Sequence, residues 1–195
     1  MLNHKNNIAM KKLKYNILFL LLVVFSSYGF ANEEEYVKKM HKEWDVNEST
    51  LLEIQNKFGD ITVKNITENK VMMDIIITVK AKDQKDADKK TSFISINFPI
   101  SDNHITAITE IDSKINGSSL FNIQTEQEYR IDYIVSVPIY LKLNFNNKYG
   151  DIFIPEIHGE SKLEVKYGDI IAENLLFDAS KPLSTISVSY RNIKK

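Results

Sequence analysis

The 195-residue sequence contains no cysteine. Disulfide bonds, thiolate metal ligands and a cysteine nucleophile are therefore excluded, and no cysteine is available for lipid attachment. Glycine and proline are also scarce, with six and four residues. Three of the six glycines stand in one recurring motif, so we interpret glycine here as a residue of corners rather than of general flexibility.

Basic and acidic residues are nearly equal in number over the whole chain, at 25 and 26. Four of the lysines lie in residues 1–31, which contain no acid, so residues 32–195 carry a net charge of −5. No overall basic field favours nucleic acid or an anionic membrane as a partner. We therefore expect no nucleic-acid partner.

Residues 1–31 have the three-part pattern of a secretory signal peptide: lysines, the apolar run Ile17–Phe25, and small residues around Gly29 and Ala31. Cleavage is expected after Ala31, with Gly29 as the alternative, and Met10 is an alternative start. A membrane anchor is the competing interpretation, but this apolar run is well short of the ~20 residues that span a bilayer. The sequence predicts export to the periplasm, the outer-membrane surface or the medium, with no membrane span in the mature chain.

A short motif of asparagine, lysine, an aromatic residue, glycine, aspartate and isoleucine recurs along the chain. The first copy is Asn56–Ile61, the second is Asn147–Ile152, and the third, Val165–Ile170, begins with valine in place of asparagine. A degenerate copy follows at Ser189–Ile193. Alternating apolar residues before each copy predict a strand, and glycine with aspartate predicts a corner into the next strand. The predicted corner residues are Phe58, Gly59, Asp60, Tyr149, Gly150, Asp151, Tyr167, Gly168 and Asp169.

Tyr149 and Tyr167 are 18 residues apart, which fits one coil of a β-solenoid. The neighbouring intervals are longer, so we predict a mainly β chain that forms a short, irregular, β-helix-like solenoid. The expected organisation is a flexible segment over residues 32–47 and a single β domain over residues 48–195. Within that domain, residues 64–138 form a long-strand insertion with one helix, and residues 139–195 form the solenoid coils.

Periodicity within the insertion predicts its elements. Residues alternate as in strands over Val71–Lys82, Ile105–Ile111 and Glu128–Val137. A short helix is predicted over Gln84–Ser92, with Asp83 as its N-cap. A surface loop is predicted over residues 112–127. The first corner, within residues 49–63, is interpreted as either a β-hairpin or a first coil.

The aspartates Asp60, Asp151 and Asp169 are the sharpest candidates for chemistry, because equivalent positions in adjacent coils stack at about 4.8 Å. Two carboxylates so close could share a proton, bind Ca²⁺ or cleave a glycosidic bond. The interpretation we favour is that each aspartate stabilises its own turn.

The aromatic residues Phe58, Tyr149, Tyr167 and Tyr190 suggest a strip for sugar stacking, but core packing is favoured because Tyr167 shares strand parity with Leu163 and Val165. Three histidines outside the signal region stand alone, without the spacing of metal ligands: His41, His104 and His158. No catalytic residue, metal site or cofactor is predicted.

The signal peptide, the Asn56–Ile61 corner, the Val71–Lys82 strand with its short helix, and the corners Asn147–Asp151 and Lys166–Asp169 together resemble the DUF4097 family of adhesin-like proteins, as found in Bacteroidetes. The resemblance covers roughly Asn47 to the end. It implies an exported β-solenoid of the cell envelope without catalytic residues. Family members usually continue for several more coils, so this chain is expected to be a fragment or to end in an open edge that can pair with another chain.

These observations favour a non-enzymatic exported envelope protein, an adhesin-like scaffold that presents a surface to an unknown envelope or surface ligand or associates with itself through its terminal edge. One alternative is a glycan-active enzyme that uses Asp151 and Asp169. Another is an envelope-stress accessory that binds a membrane or regulatory partner.

Overall fold

The structure is a computed structural model, and it describes residues 33–112, 129–175 and 184–189. Apolar and polar residues alternate through most of this part of the chain, and the alternating residues form strands whose apolar side is buried. The strands are β1 (Glu34–Asp45), β2 (Leu51–Phe58), β3 (Ile61–Ile66), β4 (Lys70–Ala81), β5 (Ile94–Asn97), β6 (Ile100–Ser101), β7 (His104–Ile111), β8 (Tyr129–Pro138), β9 (Lys142–Tyr149), β10 (Ile152–Ile157), β11 (Ser161–Tyr167), β12 (Ile170–Leu175) and β13 (Thr185–Val188), and the helix is α1 (Gln84–Ser92).

The strands form two sheets with mixed parallel and antiparallel pairing. The first has six strands in the order β1-β4-β8-β3-β10-β12, and the second has seven, in the order β13-β11-β9-β2-β7-β5 with β6 paired to β7. A mainly β chain with one short helix is thus confirmed for the described residues. One hydrophobic core contains buried residues of both sheets, among them Leu52, Ile54, Ile61, Met73, Tyr133 and Phe145.

The chain changes sheet at each predicted corner. Strands β2, β9 and β11 lie side by side in the second sheet, and the strands that follow them, β3, β10 and β12, lie side by side in the first. All these neighbours are parallel, with Phe58 opposite Tyr149 and Tyr149 opposite Tyr167. The hairpin interpretation of residues 49–63 is therefore wrong, because β2 and β3 do not pair with each other.

The predicted insertion, residues 64–138, contains strands that pair with both strands of the first corner, β2 and β3. Strand β7 runs parallel to β2, and β8 runs parallel to β3, so both extend the parallel stack. Beyond them, β4, β1 and β5 pair antiparallel at the outside of the two sheets. Residues 113–127 of the predicted surface loop lie outside the described residues.

Helix α1 begins and ends at the predicted residues. The side chain of Asp83 accepts a hydrogen bond from the backbone N–H of Asp86 at 2.8 Å, which is the expected N-cap. Ala87 is the buried residue of the helix, and Lys90 lies 3.7 Å from Asp86.

The prediction of a flexible segment over residues 32–47 is wrong for its described part. Strand β1 pairs with β4 along all 12 of its residues. Only Tyr36, Met40 and Trp44 pack against the core, so every fourth residue is half-buried and the two-residue period of a strand is hidden by charged neighbours.

The predicted signal peptide, residues 1–31, lies outside the described residues, as do the degenerate corner from Tyr190 onward and the last residues of the chain. Within the described ranges, none of the helical segments combines the length and apolar character needed to cross a bilayer.

Candidate functional site

The three corners have a shared backbone geometry that requires glycine. Gly59, Gly150 and Gly168 adopt positive φ angles of 106°, 125° and 154°. A Cβ atom on Gly150 would lie 2.2 Å from the carbonyl oxygen of Gly59, and one on Gly168 would lie 2.3 Å from that of Gly150. Each glycine is therefore needed for its own φ angle and for the close approach of the neighbouring corner.

The aspartates connect one corner to the next. Asp60 Oδ1 accepts a hydrogen bond from the backbone N–H of Asp151, and Asp151 Oδ1 accepts one from the N–H of Asp169, both at 2.8 Å. The interpretation that each aspartate stabilises its own turn is corrected for Asp60 and Asp151, because the N–H that each of these carboxylates holds belongs to the next corner. We call this chain of contacts the aspartate ladder.

Two residues of the aspartate ladder were not predicted from the sequence. Asp132 of β8 takes the place of a corner aspartate, and its Oδ1 accepts the N–H of Asp60 at 2.8 Å. Arg130 donates from Nε to both carboxylate oxygens of Asp132, at 2.8 and 2.6 Å, and from Nη2 to Asp60 at 2.6 Å. The pKa of Arg130 is raised, mainly by its hydrogen bond to Asp132. Neither residue carries the motif, since β8 has no glycine beside Asp132.

The aromatic side chains of the corners form a column. The rings of Phe58 and Tyr149 stack at 4.9 Å between centroids, and those of Tyr149 and Tyr167 stack at 4.8 Å, both pairs within 6° of parallel. Tyr129 meets Phe58 edge-on at 5.0 Å. The facing ring surfaces in this aromatic column are covered by one another, which opposes the sugar-stacking interpretation.

Burial decreases along the aromatic column. Phe58 is 3% exposed, Tyr149 is half-buried and Tyr167 is 36% exposed. The prediction that Tyr167 belongs to the buried core is therefore wrong at this end of the column, although it holds for Phe58. Tyr167 is the last residue of β11, and the pairing of β11 with β13 ends at Val165 and Val188.

Buried asparagines give the first two corners a second connection. Asn147 donates from Nδ2 to the carbonyl of Gly59 at 2.9 Å, and Asn56 donates to the carbonyl of Ile131 at 3.0 Å. The equivalent residue of the third copy is Val165, which lies opposite Asn147. Within the described residues the buried Oδ1 of Asn147 has no hydrogen-bond partner.

A buried hydrogen-bonded chain joins the two sheets beside the first corner. Thr109 donates to Asn56 Oδ1 at 3.1 Å, so its oxygen accepts from the hydroxyl of Tyr133, 2.7 Å away. Burial is the main cause that raises the pKa of Tyr133 to about 12. This chain links strands β2 and β7 of one sheet to β8 of the other.

Each of the three histidines in the described residues lies beside a carboxylate. His41 Nδ1 is 2.6 Å from Asp74, His104 Nε2 is 3.0 Å from Glu53, and His158 Nε2 is 2.6 Å from Glu156. In the parts of the chain that the structure describes, no group of three or more histidines and acids could hold a metal ion.

A groove of about 440 Å³ lies between β1 and α1. Its lining mixes apolar and charged side chains and includes Tyr36, Val37, Ala87 and Asp88. None of the predicted corner residues contributes to it.

Comparisons with known proteins find only distant structural similarity. No protein-family model matches the chain, and no curated protein matches it. The resemblance to DUF4097 therefore stays an expectation.

Three solved structures illustrate the similarity. A putative cell adhesion protein from Clostridium sporogenes ATCC 15579 is 12% identical, with 70% of this chain and 68% of that chain covered and a TM-score of 0.39. A putative adhesin from Bacteroides fragilis NCTC 9343 is 15% identical, with 71% and 72% covered and a TM-score of 0.28. A putative adhesin from Parabacteroides distasonis ATCC 8503 is 9% identical, with 70% and 58% covered and a TM-score of 0.32. Similarity at this level does not decide what this chain does.

Proposed function

We propose that this chain is a non-enzymatic, exported protein of the cell envelope. In this proposal the corner-linked strands form a short β-solenoid, an adhesin-like scaffold whose surface binds an envelope or surface ligand or a second copy of the chain. The observation that carries the proposal is the aspartate ladder, because Asp60 and Asp151, two of the three candidate carboxylates, each use an oxygen to hold the next corner. Export is proposed from the signal-peptide pattern of residues 1–31.

The two alternatives have less support. A retaining glycosidase needs one carboxylate as nucleophile and another as acid, both directed at a substrate. Asp151 instead directs one oxygen at the N–H of Asp169. No observation on the described residues favours an envelope-stress accessory.

Strands β1 and β13, one outer strand from each described sheet, differ in a way that supports self-association. Strand β1 is rich in lysine and glutamate, which protect an edge from pairing with another chain, whereas β13 has the uncharged sequence Thr-Ile-Ser-Val. Ile186 and Val188 of β13 are 43% and 40% exposed.

Two experiments test this proposal. Cell fractionation of a bacterium that expresses the full chain should place the processed protein in the envelope or the medium, and labelled protein should bind intact bacterial cells. Retention of the protein in the cytoplasm, or glycan cleavage that disappears in Asp151→Asn, would overturn the proposal.

Self-association is tested by light scattering over a concentration series. We expect the wild-type protein to assemble and Ile186→Lys to remain monomeric, because a lysine on β13 opposes edge pairing. The matched control is Val37→Lys, which changes an exposed apolar residue of the charged strand β1. Equal assembly of both variants would exclude β13 as the contact, and a monomeric wild type would exclude self-association.

A further inference from the structure

The outward side of strands β2, β9 and β11 is basic, although residues 32–195 as a whole are acidic. We call this surface the lysine face. It carries five lysines and two glutamates, a net charge of +3, and three neutral amides. Its polar members are Lys57, Lys142, Lys148, Lys162, Lys166, Glu53, Glu164, Gln55, Asn144 and Asn146, and Leu51 is its apolar member.

Three of the lysines form a row across adjacent strands. Lys57, Lys148 and Lys166 precede Phe58, Tyr149 and Tyr167, which are paired in register. Parallel strands lie about 4.8 Å apart, and like charges placed directly opposite destabilise a sheet. Each ammonium lies 5.1–5.6 Å from the centroid of the adjacent ring, which offsets part of this repulsion. Lys57 and Lys148 therefore repel each other at an energetic cost that an external anion would relieve.

The two glutamates of this surface each have a partner other than a lysine. Glu53 pairs with His104, and Glu164 accepts from Asn146. Over residues 33–112, 129–175 and 184–189, no carboxylate oxygen lies within 4.0 Å of the ammonium of Lys57, Lys142, Lys148 or Lys162.

The corner aspartates follow the row lysines by three residues in each copy, and Asp60 and Asp151 have oxygens engaged elsewhere. One oxygen of Asp60 and one of Asp151 each hold a backbone N–H, and Arg130 binds the other oxygen of Asp60. These contacts direct the carboxylates along the aspartate ladder.

We propose that the lysine face binds a linear anionic polysaccharide. This inference rests on the proposed function, in which the protein's surface binds an envelope or surface ligand, and it names the chemical class of that ligand. Ammonium groups repeated from strand to strand suit a polymer with repeated carboxylates, and the amides between them suit its hydroxyl groups. Single-stranded nucleic acid fits less well, because binding it requires open aromatic surfaces on which bases stack. Here the ring surfaces between neighbouring corners are covered by one another.

The test measures binding of the purified protein to immobilised polygalacturonate, a polymer of carboxylated sugars, at low and at raised salt. We expect salt-sensitive binding that weakens by about tenfold or more in the triple variant Lys57→Gln, Lys148→Gln, Lys166→Gln. The double variant Lys142→Gln, Lys162→Gln changes lysines whose ammonium groups contact no ring within the described residues, and it should also weaken binding. Replacement of the three row lysines by arginine should retain it.

The matched control replaces Lys64, Lys85 and Lys89 by glutamine. These lysines are exposed outside the lysine face, and the control changes the net charge by the same amount as the triple variant. It should bind as the wild type does, and neutral dextran should not be bound.

Failure to bind polygalacturonate, equal weakening in the control, or equally tight binding of a single-stranded oligonucleotide would overturn the proposal. A second measurement, binding of the wild type and of the triple variant to intact cells, distinguishes failure of the polysaccharide proposal from failure of the proposed function. Equal cell binding by both would reject the lysine face alone, whereas no cell binding by the wild type would reject the surface-binding function itself.

Discussion

Asp60 and Asp151 are 91 residues apart in the chain, yet the carboxylate of Asp60 accepts a hydrogen bond from the backbone N–H of Asp151 at 2.8 Å. This contact joins a corner that precedes the insertion to one that follows it. Asp151 makes the same contact with the N–H of Asp169. In the second and third corners, the aspartate N–H is therefore accepted by the carboxylate of the preceding corner. The corners are therefore parts of one stack rather than independent turns.

Substitution of Gly150 by alanine should destabilise the protein by about 2–4 kcal/mol, because a side chain would have to adopt a φ of 125° with its Cβ 2.2 Å from a backbone oxygen. Urea unfolding measures this loss. Asn146→Ala, at an exposed position on the adjoining strand β9, is the control and should change the unfolding free energy by less than about 0.5 kcal/mol. Similar effects from both substitutions would contradict the proposed need for glycine.

Alanine substitutions along the aromatic column should have graded costs. Phe58→Ala should cost about 3–5 kcal/mol, because it empties a buried site, whereas Tyr167→Ala should cost about 1 kcal/mol, mainly the loss of one stacked pair. Tyr149→Ala should fall between them. The measurement is again the unfolding free energy in urea, and equal costs at the three positions would show that burial does not decrease along the column.

Tyr133 should make stability fall in alkaline solution. Its pKa is raised from 10.0 to about 12 in the folded protein, so between these values the unfolded chain releases a proton that the folded chain retains. Stability is then fully present below pH 10 and declines as pH rises toward 12, by about 2–3 kcal/mol in total. Tyr133→Phe cannot lose this proton, so the difference in unfolding free energy between wild type and variant should shift by this amount between pH 9 and about 12. A constant difference would mean that the hydroxyl is not buried.

Much of the architecture can be predicted from local patterns. Alternating apolar residues locate strands such as β4, and Asp83 with the following polar residues locates α1. The recurrence of aromatic, glycine and aspartate locates the corners, because each copy meets the same backbone requirement.

Spatial neighbours are harder to predict, because they depend on distant parts of the chain. Arg130 and Asp132 complete the aspartate ladder without sharing the motif. Strand β1 has no clean period, since only part of its inward side meets the core. Tyr167 has the parity of a buried residue, but it is the last residue of its strand.

Amide hydrogen exchange in an Asp60→Ala variant tests most directly whether the aspartates join one corner to the next. The predicted result is faster exchange, by up to about tenfold, at the N–H of Asp151, which loses its acceptor, while the N–H of Ile61 keeps its bond to the carbonyl of Asp151 and changes less. Faster exchange confined to residues next to position 60, with Asp151 unchanged, would contradict the ladder and restore the interpretation that each aspartate serves its own turn.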